Sequence, residues 1–170
     1  YTVARTIWKP DNTAVIISRW LKTTAYNGST LPSYIWYPDN NTLVPLFHSI
    51  DQWLTFNQVY WDDARQLVWS SGYDGIGAIH IQTGELAYWF PNGQTDSHFQ
   101  FSPDHNHVVA YGQHDNGGYI QPNMTLYDIA SGQGIELNVE QRGNGIVQLT
   151  SDNRFVALQG SAIRVWDLHN

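Results

Sequence analysis

The sequence contains no cysteine, which removes disulfides, thiolate catalysis and Cys-ligated zinc or iron–sulfur sites while leaving the redox compartment open. No apolar run approaches the roughly 18 residues of a membrane-spanning helix, so no membrane span is expected. The opening stretch Tyr1-Thr2-Val3-Ala4-Arg5 lacks the apolar core of a signal peptide. The absence of an initial methionine suggests a processed protein or an excised piece. Charge is also sparse: only 14% of residues are charged, and the formal net charge is -7. With no cluster of Arg or Lys, such a chain repels a phosphate backbone, and no nucleic acid partner is expected. The scarcity of Lys leans the chain towards a bacterial extracytoplasmic setting. There is no Gly-x-Ser-x-Gly elbow, no Gly-Lys-Ser/Thr phosphate loop and no Gly-x-Gly-x-x-Gly fingerprint. Acyl transfer and nucleotide-dependent chemistry thus lose their commonest signatures, and no cofactor is expected.

What is present is sheet-and-turn chemistry. The 170 residues are 42% hydrophobic and 14% aromatic, enough to bury one sizeable core. Eight Trp and ten Tyr sit among many Gly, Asn, Asp, Ser and Thr, which points to an all-β fold. A hydrophobic strand running into a polar turn and a second hydrophobic strand recurs four times. The turns are Lys9-Pro10-Asp11-Asn12, Asp62-Asp63, Ser102-Pro103-Asp104 and Ser151-Asp152-Asn153. Proline presets φ, and Asp and Asn bond their own backbone and tolerate left-handed conformations, so each copy reads as a hairpin. A third strand and exit turn follow: Tyr34-Ile35-Trp36-Tyr37-Pro38-Asp39-Asn40, Ile79-His80-Ile81-Gln82-Thr83-Gly84, Leu126-Tyr127-Asp128-Ile129-Ala130-Ser131-Gly132, and Ile163-Arg164-Val165-Trp166-Asp167-Leu168. Units of three or four strands at roughly 40 to 50 residues have the period of a propeller blade. The copies span about 1–48, 49–92, 93–138 and 139–170, the last without an outer strand. Residues 21–33 read as an insertion and residues 112–122 as a smaller bulge.

At Phe101-Ser102-Pro103-Asp104, at Leu126-Tyr127-Asp128 with Ser131-Gly132, and at Ile163-Arg164-Val165-Trp166-Asp167-Leu168, the chain resembles WD40 repeats and related bacterial propellers over nearly its whole length. Copies three and four carry most of the resemblance. Copy two keeps the Thr83-Gly84 exit turn, and copy one follows by register. The Gly-His pair that usually precedes a WD40 blade is absent. The resemblance implies an all-β propeller of about four blades whose ring is incomplete within this chain. Open terminal blades would expose apolar faces, so further sequence, a second copy of the chain or another subunit is expected to cover them.

Candidate chemistry is thin. His105 and His107, with His114 nearby, would share a face if they lay in one strand, but the preferred reading puts the pair at a polar, solvent-exposed hairpin turn, and with no third ligand at secure spacing no metal site is assigned. Asp62, Asp104 and Asp152 follow the repeat, which marks them as architecture rather than a catalytic pair. The segment Ser70-Ser71-Gly72-Tyr73-Asp74-Gly75 is superficially similar to the turns of sialidase-like propellers, without their closing aromatic. No catalytic residue is named. Trp8, Trp36, Trp61, Trp69 and Trp166 fall within strands and are expected in the core. Trp20, Tyr26, Trp53, Tyr73, Trp89 and Tyr119 fall near loops and form the candidate binding set, suited to a protein partner or to glycan stacking. The leading expectation is a non-catalytic protein-interaction scaffold. The alternative is part of a secreted carbohydrate-binding or glycoside-hydrolysing propeller.

Overall fold

The computed structural model describes residues 2–21, 33–46, 54–72, 75–91, 98–115, 120–137, 147–152, 154–159 and 162–167. All regular structure among them is β. The first sheet runs β1 (Thr2–Trp8), β2 (Val15–Leu21), β3 (Ser33–Tyr37) and β4 (Thr42–Leu46). The second holds β5 (Leu54–Asp62), β6 (Leu67–Gly72), β7 (Gly75–His80) and β8 (Leu86–Pro91). The third holds β9 (His98–Phe101), β10 (His107–Asp115), β11 (Ile120–Asp128) and β12 (Gly134–Leu137), and the fourth β13 (Val147–Leu149), β14 (Arg154–Gln159) and β15 (Ala162–Asp167). The chain is therefore all-β, in four antiparallel sheets of three or four strands. In each sheet, neighbours in sequence are neighbours in space, as short polar turns between alternating strands require.

The register is fixed by turn and pattern together. In the first sheet Trp8, Val15, Trp36 and Leu43 lie opposite one another across four strands, and Ile7, Ile16, Ile35 and Val44 form the next row. Opposed residues share a face and successive residues alternate. The third sheet repeats the scheme with Phe101, Val108, Tyr127 and Gly134, then Gln100, Val109, Leu126 and Ile135. The fourth has Leu149, Phe155 and Trp166, then Gln148, Val156 and Val165.

Packing divides the chain into two units, residues 1–70 with 77–89, and residues 71–76 with 90–170. The first unit buries Ala14, Ile16, Ile35 and Leu46 of the first sheet with Phe56, Val68, Ile79 and Ile81 of the second. Burying one such aliphatic side chain contributes about 1.5–3 kcal/mol. Trp69, fully buried, stacks on Tyr88 with ring centroids 5.7 Å apart. The second unit packs Val109, Met124 and Leu137 of the third sheet on Phe155 of the fourth, flanked by Tyr111, Leu126 and Trp166.

Two sequence expectations are corrected. Of the bulge expected at residues 112–122, 116–119 lie outside the described residues, and the rest is strand: Gly112–Asp115 pair with Ile120–Asn123 and prolong the β10–β11 ladder, so the backbone groups satisfy one another where the residue types read as loop. Trp8, expected in the core, is 50% exposed, because its row of the first sheet faces away from Ile16 and Ile35. The supposed insertion at 21–33 includes the last residue of β2 and the first of β3; residues between them lie outside the described set.

Candidate functional site

Each sheet has two ends, and turn chemistry makes them unlike. At one end lie the connection from the first to the second strand and that from the third to the fourth. In the third sheet, Ser102 is almost fully buried. Its hydroxyl donates to Asp104 at 2.6 Å and accepts from the His107 amide at 2.9 Å. The Asn106 amide donates to Asp104 at 3.0 Å. His105 holds the left-handed position of the turn, with φ 57°. In the fourth sheet Thr150 plays the part of Ser102: its hydroxyl donates to Asp152 and accepts from the Arg154 amide at 3.1 Å. In the second sheet Asp62 accepts from the Arg65 amide at 3.1 Å and pairs with its guanidinium at 3.0 Å. In the first, Lys9 sits at that position and bridges Asp11 at 2.8 Å and Asp63 at 2.7 Å.

The exit turns close the same end. The Gly84 amide donates to the His80 carbonyl at 2.8 Å and that of Gly132 to Asp128 at 2.9 Å, both glycines holding positive φ. A further backbone bond links the two turns of a sheet directly: Ile81 donates to Gln66 at 3.0 Å and Ile129 to Asn106 at 2.9 Å.

These bonds fix the electrostatics of the repeated carboxylates. The Ser102 hydroxyl, helped by the Asn106 amide, holds Asp104 down at about 2. The Lys9 ammonium, then the Thr13 hydroxyl and amide, lower Asp11 to about 2. The Ser131 hydroxyl and amide lower Asp128. Carboxylates held this low stay ionised at neutral pH and are poor general acids.

The histidine pair is divided rather than joined. His105 occupies the turn and stacks on Phe101 at 5.5 Å, whereas His107 opens β10 with its Nε2 3.8 Å from Asp128. His105 in the turn and His107 at the start of β10 place the pair at the hairpin turn, as the polar-turn reading expects. Among the described residues no three His, Asp or Glu side chains are grouped to hold a metal.

The opposite end of each sheet receives every other connection. Strand direction alone sends the β2–β3, β4–β5, β6–β7, β8–β9, β10–β11, β12–β13 and β14–β15 links there. Trp20 is the penultimate residue of β2 and lies at that end. Tyr26, Trp53, Tyr73 and Tyr119 belong to four of these connections and lie outside the described residues. Trp89 lies two residues before the end of β8, half-buried, with ring carbon Cε3 3.1 Å from where a Cβ on Gly77 would stand. Alternation of connections between the two ends of a meander was available in the sequence, by counting strands.

The chain matches no protein-family model and no curated protein. Among solved structures it is similar to the hydrazine synthase of Kuenenia stuttgartiensis, with a TM-score of 0.60 and 13% identity. The match covers 96% of this chain and 45% of that one. The chain thus spans less than half the length of this solved chain, and at such identity the likeness concerns the fold alone.

Proposed function

We propose that this chain is a run of WD40-like β-propeller blades serving as a non-catalytic protein-interaction scaffold. The observation that carries the reading is the inequality of the sheet ends. One is closed by turns of four to six residues that consume their own polar groups; the other takes the longest connections, residues 22–32, 47–53, 92–97 and 138–146, of which the first two carry Tyr26 and Trp53, while Tyr73 and Tyr119 fall in short links at the same end. Rigid sheets displaying variable, aromatic-bearing connections suit recognition, since Trp and Tyr supply large contact areas at low entropic cost. Asp62, Asp104 and Asp152, the acidic side chains that follow the repeat, are engaged in turns, and Asp104 is held ionised, which favours architecture over hydrolysis.

The test is partner capture from extract of the source organism by the intact chain and by the triple variant Tyr26→Ala, Trp53→Ala, Tyr73→Ala. A scaffold retains a defined protein that the variant loses, with an unchanged melting temperature. Saturable tryptophan quenching by a glycan panel, lost in the same variant, would instead support the carbohydrate-binding reading. Equal capture by both chains would refute the assignment of the loops.

A further inference from the structure

The exit turns of the first three sheets correspond residue by residue, and the first carries two groups that its turn does not use. Asn41, Gly84 and Gly132 hold the left-handed position of these turns, with φ of 54°, 73° and 71°. In each turn the residue before that position lends a side-chain oxygen to the amide two places on. The Thr42 amide donates to Asn40 Oδ1 at 3.0 Å, that of Glu85 to the Thr83 hydroxyl at 3.3 Å, and that of Gln133 to the Ser131 hydroxyl at 3.3 Å. Asn40 is thus the counterpart of Thr83 and Ser131, and Thr42 that of Glu85 and Gln133. An oxygen is all this bond requires. The Asn40 amide nitrogen and the Thr42 hydroxyl make no hydrogen bond among the described residues. The second and third sheets close the same turn without either group.

Both residues are exposed, and so are Thr83, Glu85, Ser131 and Gln133 at the corresponding places. Thr83 and Glu85 keep that exposure although Gly84 between them is buried against the Pro45 carbonyl of the first sheet. A sheet packed beside such a turn therefore covers the glycine position and not the two that flank it, so the exposure of Asn40 and Thr42 does not depend on what lies beside the first sheet. Asn40-Asn41-Thr42 is moreover an Asn-x-Ser/Thr sequence with x other than proline, the pattern whose amide nitrogen accepts an N-linked sugar. Two further such sequences occur. Asn123-Met124-Thr125 lies within β11, with Asn123 opposite Gly112 in the ladder, and Asn27-Gly28-Ser29 lies outside the described residues.

We propose that Asn40 is an acceptor for N-linked glycosylation, its co-substrate a lipid-pyrophosphate-linked oligosaccharide presented by an oligosaccharyltransferase. Nδ2 forms a bond to the anomeric carbon of the sugar. The bond from that carbon to the pyrophosphate oxygen breaks, the lipid pyrophosphate leaves with the electron pair, and the nitrogen gives up one proton. Oδ1 keeps its bond to the Thr42 amide throughout, so the transfer does not cost the turn its closure. The glycan stands at the end of the first sheet opposite the β2–β3 connection.

The experiment gives the folded 170-residue chain to a purified oligosaccharyltransferase that reads Asn-x-Ser/Thr, with a lipid-pyrophosphate-linked oligosaccharide, and follows intact mass and the glycosylated peptides. One glycan is expected on the peptide that carries Asn40, in a product with the melting temperature of the unmodified chain. Asn40→Ser and Thr42→Gln install the residues of the third sheet's turn, so both variants are expected to keep the wild-type circular dichroism while losing transfer at this peptide. Thr42→Ser is expected to retain it. A folded chain left unmodified at Asn40 would overturn the proposal, as would transfer to Asn40 only after unfolding in urea. Undiminished transfer in Thr42→Gln, or a product that melts well below the unmodified chain, would overturn it too.

Discussion

Gly84 and Gly132 occupy the same place in the exit turns of the second and third sheets, with φ of 73° and 71°, yet their surroundings differ. A Cβ on Gly84 would stand 1.9 Å from the Pro45 carbonyl oxygen of β4, whereas a Cβ on Gly132 would meet only the edge of the Phe90 ring at 4.0 Å. Gly132→Ala therefore pays the left-handed backbone penalty alone, ~1 kcal/mol. Gly84→Ala adds displacement of a neighbouring backbone, which raises the cost to about 3–5 kcal/mol. At this chain length, melting is expected to fall by about 3 °C for Gly132→Ala and about 10 °C for Gly84→Ala. Differential scanning calorimetry on both variants reads the difference, and the larger loss should appear in the transition of the unit holding residues 1–70. Equal losses would refute the packing of the Gly84 turn on β4.

Ser102→Ala removes the hydroxyl that serves both Asp104 and the His107 amide; a loss of about 1–2 kcal/mol in urea unfolding is expected, and carboxyl NMR should show Asp104 rising from about 2 towards 3.8. Because Asp104 and Asp11 are both depressed from 3.8 to about 2, their contribution is complete above pH 4 and is lost as pH falls through the folded values. The urea midpoint should thus decline between pH 4 and 2, less steeply in Asp104→Asn. Tyr127→Phe keeps the stack on Phe90 but loses the bond to the Pro91 carbonyl, for a cost of about 1 kcal/mol by thermal melting. Trp69→Ala empties a fully buried site and should cost about 3–5 kcal/mol in the same assay.

The sheets were legible because two local signals coincide: alternating apolar runs and turns whose Pro, Asp, Asn and Gly have a mechanical reason to be there. Thr83-Gly84 and Ser131-Gly132 end their third strands as the residue types require. The prolonged β10–β11 ladder was not legible, because backbone pairing at Gly112–Asp115 imposes no apolar pattern. Trp8 and Trp69 read alike, as strand tryptophans. Parity tells which residues share a face, but whether a neighbouring sheet covers that face is a tertiary fact, and it leaves one indole half exposed and the other sealed. The place of the histidine pair at a hairpin turn was legible, but nothing in the residue types requires His105 rather than Asn106 to take the left-handed position. For the candidate site, the aromatic residue types were readable, while the assignment of the connections that carry Tyr26, Trp53, Tyr73 and Tyr119 to one end of the sheets follows only once the strands are counted.

The backbone bonds from Ile81 to Gln66 and from Ile129 to Asn106 bear on how such a chain can change. They rivet two turns together, so a residue inserted into either one breaks both at once, and length variation is barred from that end of the sheet. Among the described residues no such bond joins two connections at the far end. A lineage built on this repeat would acquire its insertions there and keep its other rim constant, and an engineer grafting a foreign loop would meet the same asymmetry.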